Sequence, residues 1–146
     1  KLTWVDDIPL VNTHIIKQLK AIKSGENDNF RVPKLYKDNE DKDFVKDLFR
    51  KTVLNEKELA KEYLDKTPNW DSERIAEIDT IILKMAICEF LKFTSIPVKV
   101  TLNEYLEVAK EYSTPKSSIF INGILDNLVK ELQASKRIIK AGRGLM

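Results

Sequence analysis

The segment WDSERIAEIDTIILKMAICEFLKF, residues 70–93, is apolar almost all the way round a helical wheel. Ile75, Ile78, Ile82, Met85, Ala86 and Phe93 share one face, while Ile81, Leu83, Ile87 and Leu91 lie elsewhere. A helix with no polar side has to be covered on every side, so this segment predicts the buried centre of a helical bundle. Nothing in the chain approaches the roughly 18 consecutive apolar residues that a membrane span needs. Four glycines and five prolines leave little room for many tight turns, which favours an all-α fold over a β-sandwich.

The segments on either side supply the helices that would do the covering. Val11, Ile15, Ile16, Leu19 and Ile22 form the apolar face of a first helix, ended by Ser24-Gly25. A polar connector of alternating charge follows and becomes helical near Asn39, where an acidic run suits a helix N-terminus. Residues 1–38 are therefore read as an N-terminal helix and connector, and 39–146 as an all-helical domain with a basic tail from about residue 134. Phe44, Leu48, Phe49 and Val53 give a second helix; Leu59, Tyr63 and Leu64 give a third that stops before Thr67-Pro68.

Pro97 ends the central segment, and Thr101 with Glu104 has capping-box spacing at the start of the next helix, whose inner face is Leu102, Tyr105, Leu106, Ala109 and Tyr112. Thr114-Pro115 stops that helix and opens the last one. There, Ile121, Ile124, Leu125, Leu128 and Leu132 keep helical spacing, which outweighs the hairpin signal of Asn122-Gly123. Gly123 is expected to let another backbone approach closely, the plainer alternative being a tolerated surface glycine.

Few kinds of chemistry remain open. The single histidine, His14, has only Cys88 as a conceivable thiol partner, and no cluster has zinc-ligand spacing, no glycine-rich loop cradles phosphate, and no G-x-S-x-G elbow occurs. No cofactor, no metal and no enzymatic activity are expected. One cysteine excludes an internal disulfide and suits a reducing compartment, so the cytoplasm is the expected location, and Cys88 reads as a packing residue.

Charge is informative only locally, since the net charge is +2. Lys130, Lys136, Arg137, Lys140 and Arg143 face only Glu131 between residues 130 and 143, a basic cluster that is either a solvated tail or a nucleic-acid contact. Lys116, Ser117 and Ser118 bring a positive charge, two hydroxyls and N–H groups to a helix N-terminus, a natural seat for phosphate. Phe120 sits at the edge of the buried stripe beside them, placed either for base stacking or for core packing. Asp79 and Glu89 project near the apolar face of the central helix. Glu89 is expected to be paired inside; Asp79, following Glu73 and Glu77, is either paired or part of an exposed acidic surface.

The run from Asp79 to Asp126, with DTIILKMAICEF, IPVKVTLNEYLEVAK and SSIFINGILD in that order and spacing, resembles the C-terminal half of the NusB family of bacterial transcription antitermination factors. The resemblance covers Trp70 to about Leu132, and residues 39–69 fit the family's earlier helices in pattern. It implies two small packed helical bundles and binding to the single-stranded boxA element of ribosomal RNA leaders. The implied protein partners are NusE, a small-subunit ribosomal protein, and the polymerase antitermination complex. It also implies RNA contact at Phe120 and the TPKSS turn and the NusE contact at Asp79, an acidic surface to which Glu73 and Glu77 of the same helical start would add. A protein-binding scaffold of this fold without RNA binding is the alternative. The arginine-rich first helix of the family has no counterpart in residues 1–25, which hold Lys17, Lys20 and Lys23 beyond Lys1 and no arginine; such a helix is expected upstream, within a long N-terminal extension.

Overall fold

The structure is a computed structural model, and it describes residues 7–21, 39–64, 66 and 75–141. The chain divides into two units, 1–37 and 38–146, each taken by itself below. The first contains α1 (Asp7–Ala21), on which Val11, Ile15, Ile16 and Leu19 are exposed. Ile22 and the Ser24-Gly25 stop lie outside the described residues, as do Thr67-Pro68 and residues 70–74 of the central segment.

In the second unit five helices follow in order: α2 (Asn39–Leu54), α3 (Glu56–Leu64), α4 (Glu77–Lys92), α5 (Val98–Tyr112) and α6 (Pro115–Ala134). No strand occurs among the described residues. The all-round apolar segment becomes α4, and it packs against all four of the others, with α2 and α3 forming one small bundle with it and α5 and α6 another. Ile82, Leu83, Ala86, Ile87, Cys88 and Phe90 of α4 are buried, which takes in residues from both the predicted face and its opposite. Removing that much apolar surface from water is the main stabilising term available to an α-only unit of this size. Burial also pushes the Cys88 thiol above its ordinary range, as suits a packing residue.

The bond that fixes α5 against α4 is polar. Glu89 is 5% exposed, and its carboxylate accepts hydrogen bonds from the Thr101 hydroxyl at 2.7 Å and the Tyr105 hydroxyl at 3.1 Å. Glu89 is thus paired inside, as expected. Burial, with the Glu89 carboxylate alongside, pushes the Tyr105 phenol far up, which keeps it a donor. The capping-box expectation for Thr101 is corrected here. α5 begins three residues earlier, with Pro97 as N-cap and no side-chain cap, so the Thr101 hydroxyl lies inside the helix and is free to turn toward Glu89.

Between α2 and α3 the break is a single residue, Asn55, whose side chain donates to the Lys51 carbonyl at 2.7 Å. On α2 the predicted stripe is only partly realised: Leu48 is buried and Phe44 half-buried, the latter edge-on to Phe93 at 5.3 Å, while Phe49 and Val53 are exposed. They line an open apolar groove with Val45, Ile81 and Met85, because α2 meets α4 along the line of Phe44 and Leu48 only.

Part of the basic tail is held against the fold. Arg137 makes two bonds to the Glu62 carboxylate, at 2.9 and 2.7 Å, and Lys140 donates to two carbonyls at the end of α4, that of Glu89 at 3.1 Å, which also accepts the Phe93 N–H, and that of the C-cap residue Phe93 at 2.8 Å. A cation at a helix C-terminus satisfies orphan carbonyls and complements the dipole. The Ala141 N–H bonds the Thr94 carbonyl at 2.9 Å, so the chain after α6 runs back over the end of α4. Arg143 lies outside the described residues.

The α6 stripe is buried throughout, at Ile121, Ile124, Leu125, Leu128 and Leu132. Gly123 is on the other side of the helix, exposed, and a Cβ built there would meet nothing within 4 Å. The close-approach expectation is therefore overturned in favour of a surface glycine, since no other backbone among the described residues comes near it.

Two stability outcomes follow. Gly123→Ala should raise the urea midpoint by the equivalent of about 0.5–1 kcal/mol, because helix propensity improves and nothing is crowded. Tyr105→Phe should lower stability by about 1–3 kcal/mol in the same titration, since the Glu89 carboxylate keeps its burial and loses one of two donors.

Candidate nucleic-acid interface

At the turn between α5 and α6 the backbone leaves one helix and enters the next within two residues. Ser113 ends α5, its N–H bonding the Ala109 carbonyl at 2.9 Å, and Thr114 starts α6 as N-cap, its hydroxyl oxygen accepting from the Ser117 N–H at 3.1 Å. Pro115 occupies the first position of α6, where its missing N–H costs nothing. The Thr114-Pro115 stop and restart read from the sequence is realised.

Lys116, Ser117, Ser118 and Phe120 are brought together on the first two turns of α6, but they do not all offer what the sequence suggested. The Ser117 and Thr114 hydroxyls lie 3.0 Å apart, the Ser118 hydroxyl donates to the Pro115 carbonyl at 3.0 Å, and the Ser118 N–H bonds the Thr114 carbonyl at 3.0 Å. Both serines are thus engaged in closing the turn. Lys116 is exposed, and its ammonium together with its own first-turn N–H are the groups here best placed for an anion. Phe120 is half-buried, one side packed against the core.

Two residues of this corner are exposed against their apolar character, and Tyr112, read from the sequence as part of the inner face of α5, is corrected here to an outward one. Ile119 is 74% exposed and Tyr112 is 65% exposed. Tyr112 keeps inward spacing from Tyr105, yet α5 ends on it and the chain turns away, which leaves the ring largely uncovered among the described residues. The only advance signal was its place just before the Thr114-Pro115 stop.

The three acidic residues at the start of α4 separate. Glu77 is exposed, Glu73 lies outside the described residues, and Asp79 is only 3% exposed. The Asp79 carboxylate accepts a hydrogen bond from the Ser113 hydroxyl, so the choice left open for it falls to internal pairing and against an exposed surface. The physical reason is register: Asp79 lies on the side of α4 that faces the α5–α6 turn. Among the described residues no group of His, Cys, Asp and Glu is placed to hold a metal ion, and no helix is long and apolar enough to cross a membrane.

Compared with known families, residues 11–130 match the NusB family model. This chain belongs to the NusB family. Among curated proteins it is 45% identical over 117 residues to a protein of Salinibacter ruber named transcription antitermination protein NusB, covering 80% of this chain and 72% of that protein. Relatives of the same name from Chloroherpeton thalassium and Clostridium kluyveri are 38% and 41% identical, over stretches covering 72% and 67% of this chain and 50% and 63% of theirs. A solved structure of T. maritima NusB superposes with a TM-score of 0.60 at 32% identity, over 64% of this chain and 66% of that one. The all-α NusB fold read from the sequence is therefore the fold observed. NusB proteins are not enzymes. The long N-terminal extension expected from the sequence is not borne out by these relatives.

The burial of Asp79 makes a measurable claim. Asp79→Lys should lower the stability of the fold by at least about 1.5–3 kcal/mol in a denaturant titration, the range for a lost charge-assisted bond, whereas Asp79→Asn, which keeps an acceptor oxygen, should lose less. Unchanged stability in Asp79→Lys would mean that the carboxylate serves only as surface.

Proposed function

We propose that this chain is a transcription antitermination factor that binds single-stranded, boxA-type RNA together with NusE, as part of the polymerase antitermination complex. The observation that carries the reading is its membership of the NusB family, with relatives named transcription antitermination protein. The corner at the start of α6 supports it, since an exposed lysine at a helix N-terminus and an aromatic ring at the core edge are groups suited to a phosphate and a base.

On this reading Lys116 holds a phosphate, Phe120 offers its outer face to a base, and Ser117 and Ser118 shape the turn. NusE is assigned to the acidic start of α4, with Glu77 as the exposed carboxylate and Glu73 as a second candidate. Asp79 then acts from inside, by holding the α5–α6 turn through Ser113. The second reading, a protein scaffold without RNA binding, draws on the apolar groove of Val45, Phe49, Val53 and Ile81, a surface of the kind protein partners use.

A salt series with a fluorescent single-stranded RNA separates the two. RNA binding predicts an affinity that falls steeply with salt; a scaffold predicts none to measure. Phe120→Ala should weaken RNA binding about tenfold, while Lys116→Ala should weaken it for every sequence and reduce the log–log salt slope by about 0.7. A folded Phe120→Ala variant that binds as before would move the site elsewhere.

A further inference from the structure

Most of the described aromatic residues of the second unit are turned inward. Tyr63, Phe90 and Tyr105 are buried, and Phe44, Phe93 and Phe120 pack partly against the core. Two are exposed: Phe49 in the groove beside α2, and Tyr112 on the last residue of α5. Tyr112 is the one beside the candidate RNA contacts. Lys116 is four positions further along, so their Cα atoms are at most about 15 Å apart, a span that a few nucleotides cover.

The surroundings of Tyr112 suit the face of a base and not a phosphate. It ends a helix, where the unpaired carbonyls carry partial negative charge, and Glu111 precedes it. Six positions before Lys116 the ammonium of Lys110 is held by Glu107 at 2.6 Å. The anion-attracting end is that of α6, at Lys116. Charge therefore divides the corner: a phosphate at Lys116, with an aromatic ring before it in the chain at Tyr112 and another after it at Phe120.

The ring is also set on a fixed base. Ser113, the next residue, is tied by its N–H to Ala109 and by its hydroxyl to the buried Asp79 carboxylate, and Thr114 is tied into the first turn of α6. A side chain presented from such a turn loses little further freedom on stacking, which is the condition under which an aromatic contact gives affinity.

We propose that Tyr112 is a second stacking platform for single-stranded RNA, taking a further base of the strand whose phosphate Lys116 holds. This rests on the RNA-binding reading above and extends it to a residue outside the family-implied contacts. Stacking uses the ring and not the hydroxyl, so it is sequence-tolerant and indifferent to loss of the phenol oxygen.

The test is a binding titration of the full chain with a fluorescein-labelled single-stranded RNA dodecamer of mixed sequence, at several salt concentrations from about 50 mM upward. Tyr112→Ala should weaken binding about tenfold with an unchanged salt slope, and Tyr112→Phe should bind like wild type. The thermal midpoint of Tyr112→Ala should match wild type, because the ring is 65% exposed. Wild-type affinity in Tyr112→Ala, alongside a loss in Phe120→Ala, overturns the Tyr112 assignment and leaves the RNA reading standing. A loss in Tyr112→Phe equal to that in Tyr112→Ala overturns stacking in favour of a hydroxyl contact. No binding by the wild-type chain at any salt concentration overturns the RNA reading and this proposal together.

Discussion

Two buried carboxylates on the central helix set the register on which the rest of the second unit depends. Asp79 near the start of α4 meets Ser113 at the end of α5, and Glu89 near the end of α4 meets Thr101 and Tyr105 in the first half of α5. The two helices therefore run antiparallel with bonds at both ends. Apolar packing alone tolerates sliding and repacking, whereas a buried carboxylate without donors is costly, so α5 has one low-energy position. The link to function lies at the Asp79 end, because the residue it holds, Ser113, belongs to the turn that presents Tyr112, Lys116 and Phe120.

Charges at the periphery close the bundle around this frame. Glu62 of α3 takes Arg137 from the chain after α6, Lys66 pairs with Glu131 of α6, and Lys84 of α4 pairs with Glu56 at 2.6 Å. Each is partly solvated and individually worth little. Of their cations, only Arg137 belongs to the basic run, whose one acid, Glu131, is taken by Lys66. Lys140 goes further, capping the C-terminal carbonyls of α4, and burial lowers its pKa from the ordinary ammonium value against the opposing pull of Glu89. Within the cluster that reads as an RNA-binding arm, Arg137 and Lys140 thus form a clasp on α3 and α4, while Lys130 and Lys136 are exposed.

How much of this was legible depends on whether a residue's role is set by its own helix. The centre of the fold was legible, because an all-round apolar segment has no other place to go, and so was the α6 stripe, where five residues in register outweighed one turn dipeptide. The Thr114-Pro115 junction was legible for the same reason: capping and proline effects are local. Thr101 was misread, since its capping-box spacing is a local signal that Pro97 pre-empted by starting α5 three residues sooner. Gly123 was misread too, because the sequence shows that it lies off the stripe but not whether another backbone covers that side.

The sequence by itself determined the helical class, the central place of α4, the helix boundary at Thr114-Pro115 and the membership of a family, all of which follow from periodicity, local backbone chemistry and the order and spacing of motifs within one chain. Only the tertiary structure decided which charges are spent inside the protein and which remain for a partner. Asp79, Glu77, Lys140 and Lys116 are alike in the sequence as charged residues near helix ends. Asp79 and Lys140 are used up because a hydroxyl and a pair of carbonyls from distant segments arrive beside them, while Glu77 and Lys116 face solvent. Such encounters are set by how helices cross, and that angle and register are properties of the packed core as a whole.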